Sequence, residues 1–170
     1  MEIPDQMKNA ILVLLFFAVT VAFGAAVADP DEIPGHAASI NEDELKFVTF
    51  PGFPTCTTGA IVHGDPNQGP VSVLQKIPPD CRIPWHWHTA NEQIVLISGT
   101  MEMMHKDSKP MLLRPGGYYF NPGHHVHSVG CPKGCTIFVT VDGKIDIHWV
   151  DNAGKEISLD EALAKESGKR

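Results

Sequence analysis

The sequence predicts an all-β domain of jelly-roll type, a sandwich or barrel of short strands, with one short helix at its C-terminal end. Three observations predict it. Short runs rich in β-branched and aromatic residues recur between positions 46 and 150, turn-forming clusters punctuate them, and no apolar period of 3.6 residues runs through the region. Many short strands with Gly/Pro-rich turns bury their apolar faces best by closing two sheets on one another. The chain's 170 residues suffice for one such domain with its own core, and are too few for two comfortable ones.

The elements follow in chain order. Residues 10–28 carry no charge and end in Ala26-Val27-Ala28, directly before Asp29-Pro30-Asp31-Glu32. The small-x-small ending is the form read by signal peptidase, so residues 1–28 are read as an export signal that leaves no stable membrane insertion after processing. The alternative is a retained N-terminal anchor, since this run could just span a bilayer. Glu2 and Asp5 are unusual before an export core, and a start at Met7-Lys8-Asn9 would be a conventional positive one. Export implies a periplasmic or secreted protein. Residues 29–45 are acidic and read as an extended arm. Strands are then expected at 46–50, 59–63, 71–77, 93–97, 101–105, 111–113, 117–120, 126–129, 136–141 and 144–150, which makes 46–150 the barrel. Gly64-Asp65-Pro66-Asn67, Pro78-Pro79-Asp80, Ser98-Gly99, Arg114-Pro115-Gly116-Gly117 and Asn121-Pro122-Gly123 are the turns between them. Asp142-Gly143 predicts a hairpin joining the last two strands. In the appendage 151–170, Ser158-Leu159-Asp160-Glu161 is a capping box, Leu159, Ala162 and Leu163 form an apolar stripe, and Gly168 is a natural stop.

The formal charge is −7, and no run of Lys or Arg could follow a phosphate backbone, which excludes a nucleic-acid partner as an expectation. In an oxidising compartment Cys56, Cys81, Cys131 and Cys135 are disulfide candidates with three pairings. Cys131-Pro132-Lys133-Gly134-Cys135 could close a tight loop, leaving Cys56 to pair with Cys81; free buried thiols or a thiolate metal site are the alternatives.

Six of the nine histidines lie between positions 86 and 127. On an extended strand His86 and His88 face the same way and present two imidazoles side by side. Glu92 follows beyond a short polar turn and can swing back from the next strand, and a third imidazole would complete a half-shell around a cation. Neutral imidazoles with a carboxylate suit one divalent transition metal: zinc, iron, manganese, nickel or copper.

Downstream, Gly116-Gly117-Tyr118-Tyr119-Phe120-Asn121-Pro122-Gly123-His124-His125-Val126-His127 supplies that imidazole, and here the sequence resembles the cupin superfamily. Cupins carry a first motif G-x5-H-x-H-x3/4-E-x6-G, matched by His86, His88, Glu92 and Gly99, and a second, G-x5-P-x-G-x2-H-x3-N, matched by Gly116, Pro122 and His127. The resemblance implies a double-stranded β-helix in which His86, His88, Glu92 and His127 are the metal ligands. Asp80, His124 and Cys131 stand where the motifs have Gly, Gly and Asn; none is a ligand position, and His124 is expected to strain a turn that favours glycine. Within the superfamily the chain is similar to small exported single-domain members and to the zinc-binding cupin domain of certain anti-sigma factors. Gly64-Asp65-Pro66, the Ile83-Pro84-x-His-x-His start, Ser98-Gly99-Thr100 and the closing Ile145-Asp146-Ile147-His148-Trp149-Val150 carry that likeness.

Met103 and His105 share a face by period two, and Tyr119 alternates with its neighbours, so His105, Tyr119 and Met103 are candidate lining for a substrate pocket. The competing reading makes Met103 core filler and His105 a core or rim histidine. Trp85 and Trp87 are out of phase with His86 and should point away from the metal. Two functions follow from the site: a metal-dependent, dioxygenase-like enzyme acting on a small molecule, or a non-catalytic module that binds or senses a metal or ligand. The cupin resemblance allows a homodimer through an outer strand, which no residue of the sequence marks.

Overall fold

The structure, a computed structural model, describes residues 39–106 and 108–167. The segment read as an export signal, most of the arm, and Gly168 lie outside these residues. Among the described residues, ten strands and one helix follow a 3-10 turn at Glu42–Glu44. They are β1 (Thr58–Gly64), β2 (Val71–Ile77), β3 (Arg82–Trp87), β4 (Glu92–Gly99), β5 (Met101–His105), β6 (Met111–Leu113), β7 (Tyr118–Asn121), β8 (His127–Gly130), β9 (Cys135–Val141), β10 (His148–Trp149) and α1 (Leu159–Ser167). The strands form two five-stranded antiparallel sheets, ordered β1-β2-β9-β4-β7 and β10-β3-β8-β5-β6, which make a jelly-roll sandwich.

Period-two alternation decides what lies between the sheets. β9 buries Cys135, Ile137, Val139 and Val141 on alternate positions, β4 buries Ile94 and Leu96, and β5 buries Met101 and Met103. Each fully buried Ile, Leu or Met contributes about 1.5–3 kcal/mol. At one end this apolar filling gives way to His86, His88, His127 and Asn121, all buried.

Two of the expected strands differ from the structure. Residues 46–50 make only one bridge, Val48 with Gly59, because the chain turns away at Pro51-Gly52, where Gly52 takes φ 80°. Residues 144–150 do not form a hairpin with β9. β9 is already paired on both sides, with β2 and β4, so no edge remains for a returning strand. The chain instead crosses to the opposite sheet, where only His148–Trp149 pair with β3. Asp142, expected as a turn residue, uses its carboxylate to accept hydrogen bonds from the backbone and side-chain nitrogens of Asn91 at 2.9 and 2.6 Å.

The predicted capping box forms: Glu161 N donates to Ser158 Oγ and Ser158 N to the Glu161 carboxylate, both at 3.2 Å. α1 packs on β3 and buries Ala162, and Trp85 and Leu163 line the same outer cleft. The cysteines pair Cys56–Cys81 and Cys131–Cys135, with no free cysteine and hence no thiolate site.

Asp80 and His124, the two residues that replace motif glycines, are also the two non-glycine residues with left-handed backbone among the described residues, at φ 61° and 62°. Such a conformation costs an L-residue about 1–2 kcal/mol, somewhat less for Asp and His. Asp80→Gly, on an exposed turn, is therefore expected to raise stability by about 0.5–1 kcal/mol once the extra freedom of glycine in the unfolded chain is deducted. An unchanged or lower midpoint in urea would contradict this.

Candidate metal centre

Pairing register, more than spacing along the chain, assembles the site. His86 on β3 is directly opposite His127 on β8, and His127 is opposite His105 on β5, so three imidazoles form a row across one sheet. In the facing sheet Glu92 on β4 lies opposite Asn121 on β7. His88 stands just beyond the end of β3. Ring centroids are separated by 4.1 Å for His86–His127, 4.9 Å for His86–His88 and 5.5 Å for His88–His127. One ligand atom from each of these three residues lies within 4.8 Å of the others, a cluster that could hold a metal ion.

The backbone around β3 orients these rings. Pro84 cannot donate to a sheet ladder, yet β3 lies inside its sheet; the register shifts between Ile83 and His86, so the proline falls at a bulge. Its carbonyl accepts a hydrogen bond from His86 Nδ1 at 2.6 Å. His88 Nδ1 likewise donates to the Asp146 carbonyl. That carbonyl lies in the segment that crosses between sheets, and Asp146 also accepts from Thr89 N at 2.8 Å. With Nδ1 acting as donor in both rings, each Nε2 carries a lone pair, the form that binds a metal.

Buried atoms without partners test whether the residues fit an ion. His127 Nε2 and Glu92 Oε2 are buried, neither has a hydrogen-bond partner, and they face one another at 3.6 Å. Glu92 Oε1 is 3.9 Å from His88 Nε2. Leaving such groups unpaired in a protein interior is costly, and a shared cation is the chemistry that would satisfy both at once. The residues fit the group.

Electrostatics favour the same state. Burial, reinforced by the neighbouring His127 and His88, pushes the His86 imidazole well below its ordinary value, and burial lowers His88 as well. Burial pushes the Glu92 carboxyl up, but His88 and His127 outweigh it and hold it below the usual carboxylate range. Neutral imidazoles and an ionised carboxylate are the protonation states a metal requires. For the metal-free chain a pH dependence follows. The two histidines bind protons less readily folded than unfolded, so stability falls as pH drops below the unfolded value near 6.5 and keeps falling until the folded values are reached. The slope approaches about 1.4 kcal/mol per pH unit for each histidine. Urea midpoints between pH 7.5 and 5 check this, and a flat profile would contradict it.

The other candidates lie close by. His105 Nε2 is 2.6 Å from Tyr119 Oη, Met103 is fully buried beside them on β5, and Tyr119 is buried too. A cavity of about 30 Å³ touches His88 and Glu92 and is lined also by Phe50, Phe53, Gln75 and Ile145. None of His105, Tyr119 and Met103 is among its lining residues. Trp87 packs away from the cluster, stacked on His148 at 3.8 Å and 4.7 Å from His124, and Trp85 lines the cleft beside α1. Sequence reasoning missed Asn121, fully buried with its amide nitrogen 3.0 Å from His127 Nδ1. Its signal was a lone amide on the inward face of β7, two residues from Tyr119.

Over residues 36–144 the chain matches the family described as the ChrR Cupin-like domain. No curated protein sequence matches it. Among solved structures it is similar to the polyketide cyclase RemF from Streptomyces resistomycificus, with a TM-score of 0.61 and 19% identity over 77% of this chain and 94% of that one. An acetylacetone dioxygenase from Acinetobacter johnsonii gives a TM-score of 0.55 and 17% identity over 80% and 93%. The DMSP lyase DddQ from Ruegeria pomeroyi DSS-3 gives 0.54 and 17% over 65% and 64%. At these identities the likeness is one of fold.

Proposed function

The chain belongs to the ChrR cupin-like family, and from that premise we propose that it holds one divalent transition metal through His86, His88, Glu92 and His127. The ion in turn binds a small organic ligand, in the manner of a dioxygenase-like enzyme. One observation carries the reading: His86 and His88 commit Nδ1 to backbone carbonyls, while His127 Nε2 and Glu92 Oε2 are left buried and unpaired. When bound, zinc, iron, manganese or nickel would supply Lewis acidity, and iron or manganese redox contact with dioxygen as well. The chain's own residues orient and desolvate the site. The two carbonyls fix the His86 and His88 rings, Phe50 and Phe53 exclude bulk water beside Glu92, and Glu92 supplies an ionised carboxylate there.

A second reading, a non-catalytic metal or ligand sensor, is supported by the cavity. At about 30 Å³ it takes roughly one or two waters, less than an organic substrate needs without movement of Phe50 or Phe53. Elemental analysis of the purified chain, followed by oxygen uptake with the iron-loaded form and small diketones or carboxylates, separates the two. A redox-inert ion with no exchangeable position would sink the oxygenase reading and leave the sensor.

We also propose export to the periplasm or beyond, supported by the two disulfides and the uncharged run before Ala26-Val27-Ala28. Recovery of the full-length chain from cytosol with reduced cysteines would contradict it. A homodimer is supported by the exposed Val95, Tyr118 and Phe120 at the β7 edge. A monomeric mass by light scattering at micromolar concentration would contradict that.

A further inference from the structure

The Asn121 carboxamide sits at a junction of four groups. Its nitrogen is 3.0 Å from His127 Nδ1, and its oxygen is 3.1 Å from Tyr119 Oη and 3.4 Å from His125 Nδ1. Tyr119 Oη is also 2.6 Å from His105 Nε2, and His127 Nδ1 is also 3.1 Å from the His125 carbonyl oxygen. A carboxamide has nearly the same shape whichever way its oxygen and nitrogen face, so hydrogen-bond chemistry must choose between the two orientations.

The His125 carbonyl chooses it, and the Tyr119–His105 contact is compatible with that choice. The His125 carbonyl can only accept, so the nearby His127 Nδ1 is best satisfied as a donor; an amide N–H facing the same Nδ1–H would be a donor against a donor. Tyr119 has one hydroxyl proton and two neighbours. If that proton goes to His105 Nε2, the shorter contact, the group beside it on Asn121 must be a donor. Turning the amide over satisfies the contacts among Asn121, Tyr119, His125 and His127, and leaves the buried His105 Nδ1 without a hydrogen-bond partner. His127 Nδ1–H then donates to Asn121 Oδ1, Asn121 Nδ2 donates to Tyr119 Oη and to His125 Nδ1, and Tyr119 Oη–H donates to His105 Nε2.

We propose that Asn121 is a positioning residue that, together with the His125 carbonyl, sets the tautomer of His127, and that Tyr119 and His105 hold Asn121 in the orientation that does so. The consequence lies at the opposite ring nitrogen. A neutral imidazole protonated on Nδ1 presents a lone pair on Nε2, whereas the reverse amide orientation places the proton on Nε2, aimed at Glu92. The line Asn121–Tyr119–His105 thus selects the metal-binding form of His127 before any ion arrives. His105 and Tyr119, read from the sequence as pocket lining, act here through another residue.

The inference rests on the metal reading for its purpose but not for its test. Ring ¹⁵N spectra of the metal-free chain report the His127 tautomer directly. Wild type is expected to show the proton on Nδ1, and Asn121→Leu to show a mixture or the Nε2 form. Zinc affinity, measured against a chromophoric chelator, is expected to fall about 10–100-fold in Asn121→Leu. Asn121→Asp, which keeps an acceptor against Nδ1–H, should retain wild-type affinity or exceed it, and Tyr119→Phe should lie between. Near-identical unfolding midpoints for the Leu and Asp variants exclude a packing effect. An Nε2–H tautomer in the wild type, or equal losses of zinc in the Asp and Leu variants, overturns the proposal. If wild type binds no zinc yet shows the Nδ1–H form, and Asn121→Leu does not, this proposal stands and the metal reading alone falls.

Discussion

His127→Ala is expected to purify as a folded chain without its metal. His127 is fully buried at the centre of the row, opposite both His86 and His105, and its Nε2 is one of the two unpaired atoms the ion would satisfy. Losing an outer partner of a metal ligand typically costs 10–100-fold in affinity, so losing the ligand should cost more than about 100-fold. His86→Ala should behave alike. Glu92→Gln keeps the volume but removes the charge, and a loss there assigns the carboxylate to the ion. Stability provides a second readout. A ligand at about 1,000 times its Kd stabilises by about 4 kcal/mol, which corresponds to roughly 10–20 °C for a domain of this size. A chelator should lower the wild-type Tm by that amount and leave His127→Ala unmoved. Stoichiometric metal in both alanine variants would contradict the assignment.

Removing the Cys56–Cys81 bridge is expected to cost more than removing Cys131–Cys135. The two link residues 25 and 4 positions apart. In the chain-entropy account the stabilisation grows with the logarithm of the closed loop, giving about 3.5 kcal/mol for the first and about 2 kcal/mol for the second. The longer bridge also ties the segment carrying Phe50 and Phe53 to the start of β3, the strand that holds His86. Cys56→Ser/Cys81→Ser should therefore lower both the urea midpoint and metal retention, while Cys131→Ser/Cys135→Ser should mainly lower the midpoint. The reverse ranking in chemical denaturation would count against the loop argument.

Most of the architecture was legible before any coordinates because its causes are local. Short apolar runs between turn clusters place β2, β4, β5 and β9; Ser158 and Glu161 announce the start of α1; the Gly99 turn and the left-handed position at His124 follow from motif spacing. The grouping of His86, His88 and His127 was legible for a related reason. Strand period and motif spacing determine which side chains share a face, and the cupin resemblance tied the two motifs to one centre.

Other features could not be read that way. Residues 144–150 have strand composition and a good hairpin signal, yet they cross to the other sheet because β9 has no free edge. That crossing brings the Asp146 carbonyl to His88. Pro84 carries no sign of a role in the sequence, and only the bulge that accommodates it in β3 aims its carbonyl at His86. Asn121 reads as a turn residue until the structure places it at the end of β7, buried against His127. By itself, then, the sequence determined the helix cap, the residue types of the site and most of the strands, but not β3, since periodicity and side-chain chemistry act within a few residues. Only the tertiary structure decided which carbonyls and amides set the imidazole tautomers, because those contacts depend on which sheet edges are already paired and which backbone groups are left over to serve a side chain.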